Sequence, residues 1–230
     1  MTAHASLESN FTPTVKQDFA VIVYTDAQRN TSFCTQHKIK NNKLEAGTLL
    51  SLEALEHLAR DFWKSEVTVL DESILVHEPG VLVWWKPSQS ESMFFQTRDS
   101  SLDALSGQVL AQPPLVFMAY RRSLKVFALL ENARPKADTP LYAAPYFNIT
   151  SGAVCLGSTP MPDVIHPNQT GAIGEAFFAS AFTHGTTERV LNWEGSISEF
   201  WAEVKRAGVF PTSALKPTGT TLERAIKGVV

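Results

Sequence analysis

The chain has 230 residues, 20 Lys and Arg against 23 Asp and Glu, and a formal net charge of −3. With 44% hydrophobic and 19% charged residues it can bury a core, and its composition is not that of a disordered chain. No basic excess or basic stripe points to nucleic acid; compact basic pairs such as Arg121-Arg122 stand isolated. The opening stretch MTAHASLESNFTPTVKQ has neither a basic start nor an apolar core, so no secretory signal is expected. The apolar runs fall far short of the roughly 18–20 residues that span a bilayer, so no membrane association is expected. Cys34 and Cys155 are too few for a disulfide framework, which points to a reducing, cytoplasmic setting.

In chain order, residues 1–17 read as a loose polar lead-in. Phe19–Thr25 and Ser32–Ile39 are strand-like and are separated by polar turn residues, which predicts a hairpin. Apolar positions Leu52, Leu55, Leu58, Ala59 and Phe62 recur at helical spacing and predict a helix over 51–64. Strands follow at Ile74–His77, Val81–Lys86, Ser92–Thr97, Leu115–Arg121 and Leu124–Leu130, the last two joined by a tight turn at Arg122-Ser123. Trp84 and Trp85 lie within one strand and so point to opposite faces. Ser101–Leu110 reads as a short helix between strands. Residues 135–162 carry Pro135, Pro140, Pro145, Pro160 and Pro162 and read as an irregular, loop-built region. Helices return at 172–183 and 197–206, the second stopped by Gly208. Strands gathered in the middle with helices before and after make an α+β plan. The expected organisation is an N-terminal hairpin-plus-helix extension (1–72, α/β), a core (73–210) and a flexible tail (211–230).

Chemistry, if present, converges on Cys155, which sits among Gly152, Gly157 and Ser158 in PYFNITSGAVCLGSTP. Small neighbours let a bulky partner approach the sulfur, and a thiolate is intrinsically nucleophilic. A free cysteine can equally be a small apolar packing residue, the reading adopted for Cys34. Asn148, seven residues before Cys155, can donate its amide to a developing oxyanion or hold the loop by bonding backbone. His166 and His184 are the nearest downstream imidazoles, available as a hydrolase base; His166-Pro167-Asn168 reads as turn chemistry. No paired-ligand spacing and no glycine-rich phosphate loop occurs, so neither a metal nor a cofactor is expected.

Residues 145–160 resemble the active-site stretch of ubiquitin-conjugating enzymes, in which an Asn, a short Gly-containing loop, an apolar residue, the catalytic Cys and a Leu follow one another. The matching residues are Asn148, Gly152, Val154, Cys155 and Leu156. Tyr146-Phe147 stands where those enzymes have His-Pro, and the Asn-to-Cys interval is one residue shorter than in the eukaryotic enzymes. Thr35-Gln36-His37, VLVWWKP (81–87), PPLVF (113–117), Pro140-Leu141-Tyr142 and NITSGAVCLGS extend the resemblance along the chain, to the PRTRC system protein B family. That bacterial, often plasmid-borne family lies in the prokaryotic ubiquitin-conjugating-like group.

The resemblance implies a ubiquitin-conjugating-like antiparallel β-meander flanked by helices, with Cys155 and Asn148 as catalytic residues. It implies as partners a ThiF-type activating enzyme and a small ubiquitin-like protein, with a JAB-type peptidase and a ParB-related protein as neighbours. The leading expectation is a transferase that takes a ubiquitin-like protein as a thioester on Cys155 and passes it to an amine. Thiol-to-thiol exchange needs positioning more than a strong base, and Asp163 is the nearest carboxylate by sequence for the later amine step. The alternatives are a non-catalytic scaffold that binds the ubiquitin-like partner, and a cysteine hydrolase using His166 or His184.

Overall fold

A computed structural model describes residues 18–26, 31–62, 69–157, 159, 161–162, 165–183 and 190–229. Asp163, Ser158 and His184 lie outside the described residues. The chain divides into two compact units, Met1–Thr68 and Val69–Val230.

In the first unit, β1 (Phe19–Asp26) and β2 (Thr31–Lys40) form the expected antiparallel hairpin, registered from Phe19 opposite Lys38 to Asp26 opposite Thr31. Two short strands, β3 (Lys43–Leu44) and β4 (Thr48–Leu49), both pair with β2. Asn41 and Asn42 make the β2–β3 turn with φ of 50° and 57°, a conformation that Asn tolerates. Cys34 is a half-buried residue of β2 opposite Val23. Helix α1 (Leu52–Phe62) starts where Ser51 accepts the Ala54 N–H on its hydroxyl at 3.1 Å.

The second unit opens with β5 (Ile74–Glu78), β6 (Val81–Lys86), β7 (Gln89–Phe95), α2 (Ser100–Asp103) and β8 (Gln108–Gln112). It continues through β9 (Leu115–Tyr120), β10 (Ser123–Ala128), β11 (Pro140–Ala143), β12 (Ile149–Thr150) and β13 (Ala153–Val154). It ends with α3 (Thr170–Ala179), β14 (Ala181–Phe182), α4 (Ile197–Ala207), β15 (Pro217–Thr221) and α5 (Leu222–Lys227). The larger sheet runs β12-β13-β10-β9-β6-β5, with β11 also on β10 and β15 on β11, and its neighbours are antiparallel. A smaller sheet, β14-β7-β8, is parallel between β14 and β7 and antiparallel between β7 and β8. The protein is thus mixed α+β, with mostly antiparallel sheets and few helices.

Successive side chains on β6 alternate faces, and the two tryptophans show it. Trp84 is buried in the larger core, stacked on Phe117 at 5.1 Å, among residues of α3 and α4 such as Phe177, Phe178, Phe200 and Trp201. Trp85 is half-buried on the other face, in a smaller cluster with Val83, Phe127, Leu141 and Leu222 of α5. Helix α4 is closed at both ends. Ser196 accepts the Glu199 N–H on its hydroxyl, and Gly208 takes φ 66° with its N–H on the Val204 carbonyl.

Four expectations change. The helix over 101–110 is only the short α2, because Gly107 turns the chain (φ 76°) and 108–112 pairs with β7 as β8. The tight turn is Arg121-Arg122, since Ser123 already pairs with Tyr120. The helix expected to 183 ends at Ala179, and Ala181-Phe182 join the smaller sheet. The expected flexible tail is folded: Thr221 and Pro217 pair with β11, and Leu222 is buried. No helix among the described residues is long and apolar enough to cross a membrane.

Candidate functional site

Cys155 is held at the exit of a two-residue hairpin. Ile149 pairs with Val154 and Thr150 with Ala153, and between them Ser151 and Gly152 have φ of 48° and 84°. Positive φ at both turn positions matches the right-handed twist of the flanking strands. A Cβ on Gly152 would overlap the Phe127 ring, so packing as well as φ demands glycine here. The Gly152 carbonyl accepts the Val126 N–H at 2.8 Å, and Lys125 pairs with Ala153, which fastens the hairpin to β10. The Cys155 N–H donates to the Asn148 carbonyl at 2.7 Å and closes the hairpin's base. Val154 and Leu156 are half-buried against the larger core, while Cys155 between them is exposed. Alternation along the chain therefore sends the thiol outward.

Asn148 is left-handed itself (φ 62°) and its side chain is committed. Its amide Nδ2 donates to the Ala181 carbonyl at 3.0 Å. Its Oδ1 accepts from the Thr183 N–H at 3.3 Å and from the Thr183 hydroxyl at 3.1 Å. Since Ala181 belongs to β14, Asn148 ties the cysteine hairpin of the larger sheet to the smaller sheet. Of the two roles open from the sequence, this geometry serves the loop-holding one.

The residues leading into Asn148 are rigid. Tyr146 is buried, stacks on Phe182 (5.6 Å) and Trp201 (6.1 Å), and donates its hydroxyl to Gln112 Oε1 at 2.9 Å. Gln112, also buried, donates its amide to the Leu110 carbonyl at 2.8 Å. Burial, reinforced by the negative charge of Glu91, pushes the Tyr146 phenol well above its ordinary value. Phe147 meets Phe95 edge-on at 6.3 Å.

Of the other sequence candidates only His166 is among the described residues, and it is not bonded to the cysteine hairpin. His166 is exposed and starts a single turn of 3-10 helix, Pro167–Gln169, with its N–H on Gln169 Oε1 at 2.8 Å, so the His-Pro-Asn triplet is a turn. No hydrogen bond joins the His166 imidazole to the Cys155 thiol. Among the described residues no cluster of three or more His, Cys, Asp or Glu side chains could hold a metal. Sequence reasoning missed the hairpin inside the proline-rich region. The signal was present as Ser-Gly between Ile-Thr and Ala-Val. It had no means to find the Asn148–Ala181 and Tyr146–Gln112 bonds, which span 33 and 34 residues.

A mixed α+β unit with mostly antiparallel sheets and few helices is consistent with an E2-like fold. The family model for prokaryotic E2 family D matches residues 51–218, and the chain belongs to that family. The match runs from the start of α1 into β15 and leaves β1–β4 and α5 outside it. No curated protein and no solved structure matches the chain.

Proposed function

We propose that the protein is a ubiquitin-conjugating-like carrier that accepts a ubiquitin-like protein on Cys155. The observation that carries this reading is an exposed thiol at the exit of a clamped hairpin, in a chain of a prokaryotic E2 family. The antiparallel succession β5-β6-β9-β10, leading on to that hairpin, supports reading the larger sheet as the conjugating-enzyme meander. The Cys155 thiolate attacks the carbonyl carbon of an activated thioester. The new C–S bond forms at Cys155, the bond to the donor thiol breaks, and the donor leaves as thiolate. An amine then attacks the Cys155 thioester, sheds a proton and releases Cys155. The exchange replaces one thioester by another, so the chain's contribution is placement of the sulfur. Asn148 acts as a positioning residue through the hairpin it anchors.

On this reading the partners are an activating enzyme of the ThiF type and a small ubiquitin-like protein, with which E2-like proteins generally work, and a JAB-type peptidase is a neighbour. Membership of the PRTRC system protein B group is part of the same proposal, carried by the motifs quoted above. Strands β1–β4, which precede the family match, are then an extension outside the conjugating core. The test is a non-reducing gel after incubation with the ThiF-type enzyme, the ubiquitin-like protein and ATP. A reductant-labile band with wild type that is missing with Cys155→Ala is expected. No such band, with both partners active and bound to this protein, would favour the non-catalytic scaffold. A reductant-labile band that persists in Cys155→Ala would place the thioester elsewhere.

A further inference from the structure

The second face of the larger sheet carries a cavity of about 450 Å³ beneath the cysteine hairpin. Its walls come from β10, the hairpin, β15 and α5. Three cations line it, Lys125, Lys216 and Arg224, together with the hydroxyl-bearing Ser151 and Thr220, and no Asp or Glu does among the described residues. None of the three cations is in an ion pair with a described carboxylate. Lys125 lies over the Tyr120 ring at 5.6 Å. The acidic residue of α5, Glu223, is held by Lys227 at 2.7 Å, although it is next to Arg224 in the chain. The floor is apolar, with Phe127 and Ile149.

Three like charges around one cleft repel one another, and a stable occupant supplies the missing negative charge. A phosphoryl group brings close to two charges and three strong acceptor oxygens, matching a guanidinium fork, two ammonium groups and hydroxyls better than a single carboxylate does. The volume is that of a small-ligand site, and the apolar floor asks for an organic body beside the charged group. We propose that this cavity binds a small phosphorylated organic molecule, with Lys125, Lys216 and Arg224 holding the phosphoryl group and its body against Phe127 and Ile149. The site does not depend on thioester chemistry at Cys155.

The test is calorimetric titration of the whole chain at low ionic strength with AMP, inorganic phosphate and an acidic heptapeptide as probes. AMP is expected to bind at least tenfold more tightly than inorganic phosphate, with affinity falling as salt rises. Lys216→Glu and Arg224→Glu, both at exposed positions, each weaken AMP by at least tenfold, while Lys205→Glu on α4 leaves it unchanged. Wild-type melting curves for each variant separate lost binding from lost folding. No AMP binding at millimolar concentration, binding indifferent to the two reversals, AMP no tighter than inorganic phosphate, or tightest binding by the peptide would each overturn the proposal.

Discussion

The hairpins β9–β10 and β12–β13 solve one geometric problem in opposite ways. Both turn in two residues with positive φ, at Arg121-Arg122 (44° and 63°) and at Ser151-Gly152 (48° and 84°). Arginine is a poor choice for a left-handed position, costing about 1 kcal/mol or more per residue. Six residue pairs between β9 and β10 carry that strain. The cysteine hairpin has only two pairs, so its own ladder supports little. It relies on a glycine that fits the turn, on the Phe127 ring beneath it, and on Asn148 reaching to β14. One turn is imposed by its strands; the other is imposed by its surroundings. The thiol's position is therefore a tertiary property, and it should be easy to disturb from a distance.

The largest effect is expected at Gly152. Gly152→Ala adds a Cβ that overlaps Phe127 at a left-handed φ, at a cost of about 3–5 kcal/mol, measured by urea unfolding. Where the fold survives, thioester formation falls further than stability does. Asn148→Ala strands the Ala181 carbonyl and the Thr183 donors and leaves alanine left-handed, at about 2–3 kcal/mol, with the thioester rate falling in parallel. If stability falls as expected but the thioester rate does not, the anchor is structural only.

Tyr146→Phe leaves Gln112 Oε1 without its buried donor, at about 1–3 kcal/mol. It also changes the alkaline limb of the stability curve. The wild-type phenol holds its proton more tightly folded than unfolded, so stability is full below about pH 10, the ordinary phenol value, and falls as pH rises toward the raised one. The Phe variant lacks that fall. The smallest effect runs the other way. Arg121→Asn with Arg122→Gly gives the β9–β10 turn the residues it favours and stabilises by about 1–2 kcal/mol in urea, with no change at Cys155. An unchanged or lower stability would mean that the arginines' own contacts outweigh their backbone strain.

How much could be read in advance follows the same division. Where an element is held by its own residues, sequence sufficed: the β1–β2 hairpin, α1 with its Ser51 start, and α4 with its Gly208 stop lie where periodicity and end signals put them. Cys155 was legible as a residue of interest from its small neighbours, and with Asn148 from the resemblance of residues 145–160 to the ubiquitin-conjugating active-site stretch. Elements defined by distant partners were not legible. Strand β15 is Pro-Thr-Gly-Thr-Thr, a composition of loops, and is a strand because β11 lies beside it. Strand β8 follows a glycine break and gains its identity from β7, with Leu110 and Gln112 turned inward and Val109 outward. The commitment of the Asn148 amide to β14 belongs to the same class.

The central claim is that the hairpin places a thioester-forming thiol at residue 155. Intact mass after incubation with the ThiF-type enzyme, the ubiquitin-like protein and ATP tests it most directly, with Cys155→Ser run alongside wild type. The account predicts that both gain the mass of the ubiquitin-like protein less one water. A thiol reductant strips the wild-type adduct, a thioester, and spares the serine adduct, an oxyester. A wild-type adduct that resists the reductant, or one that maps by peptide digestion to a residue other than Cys155, would contradict it.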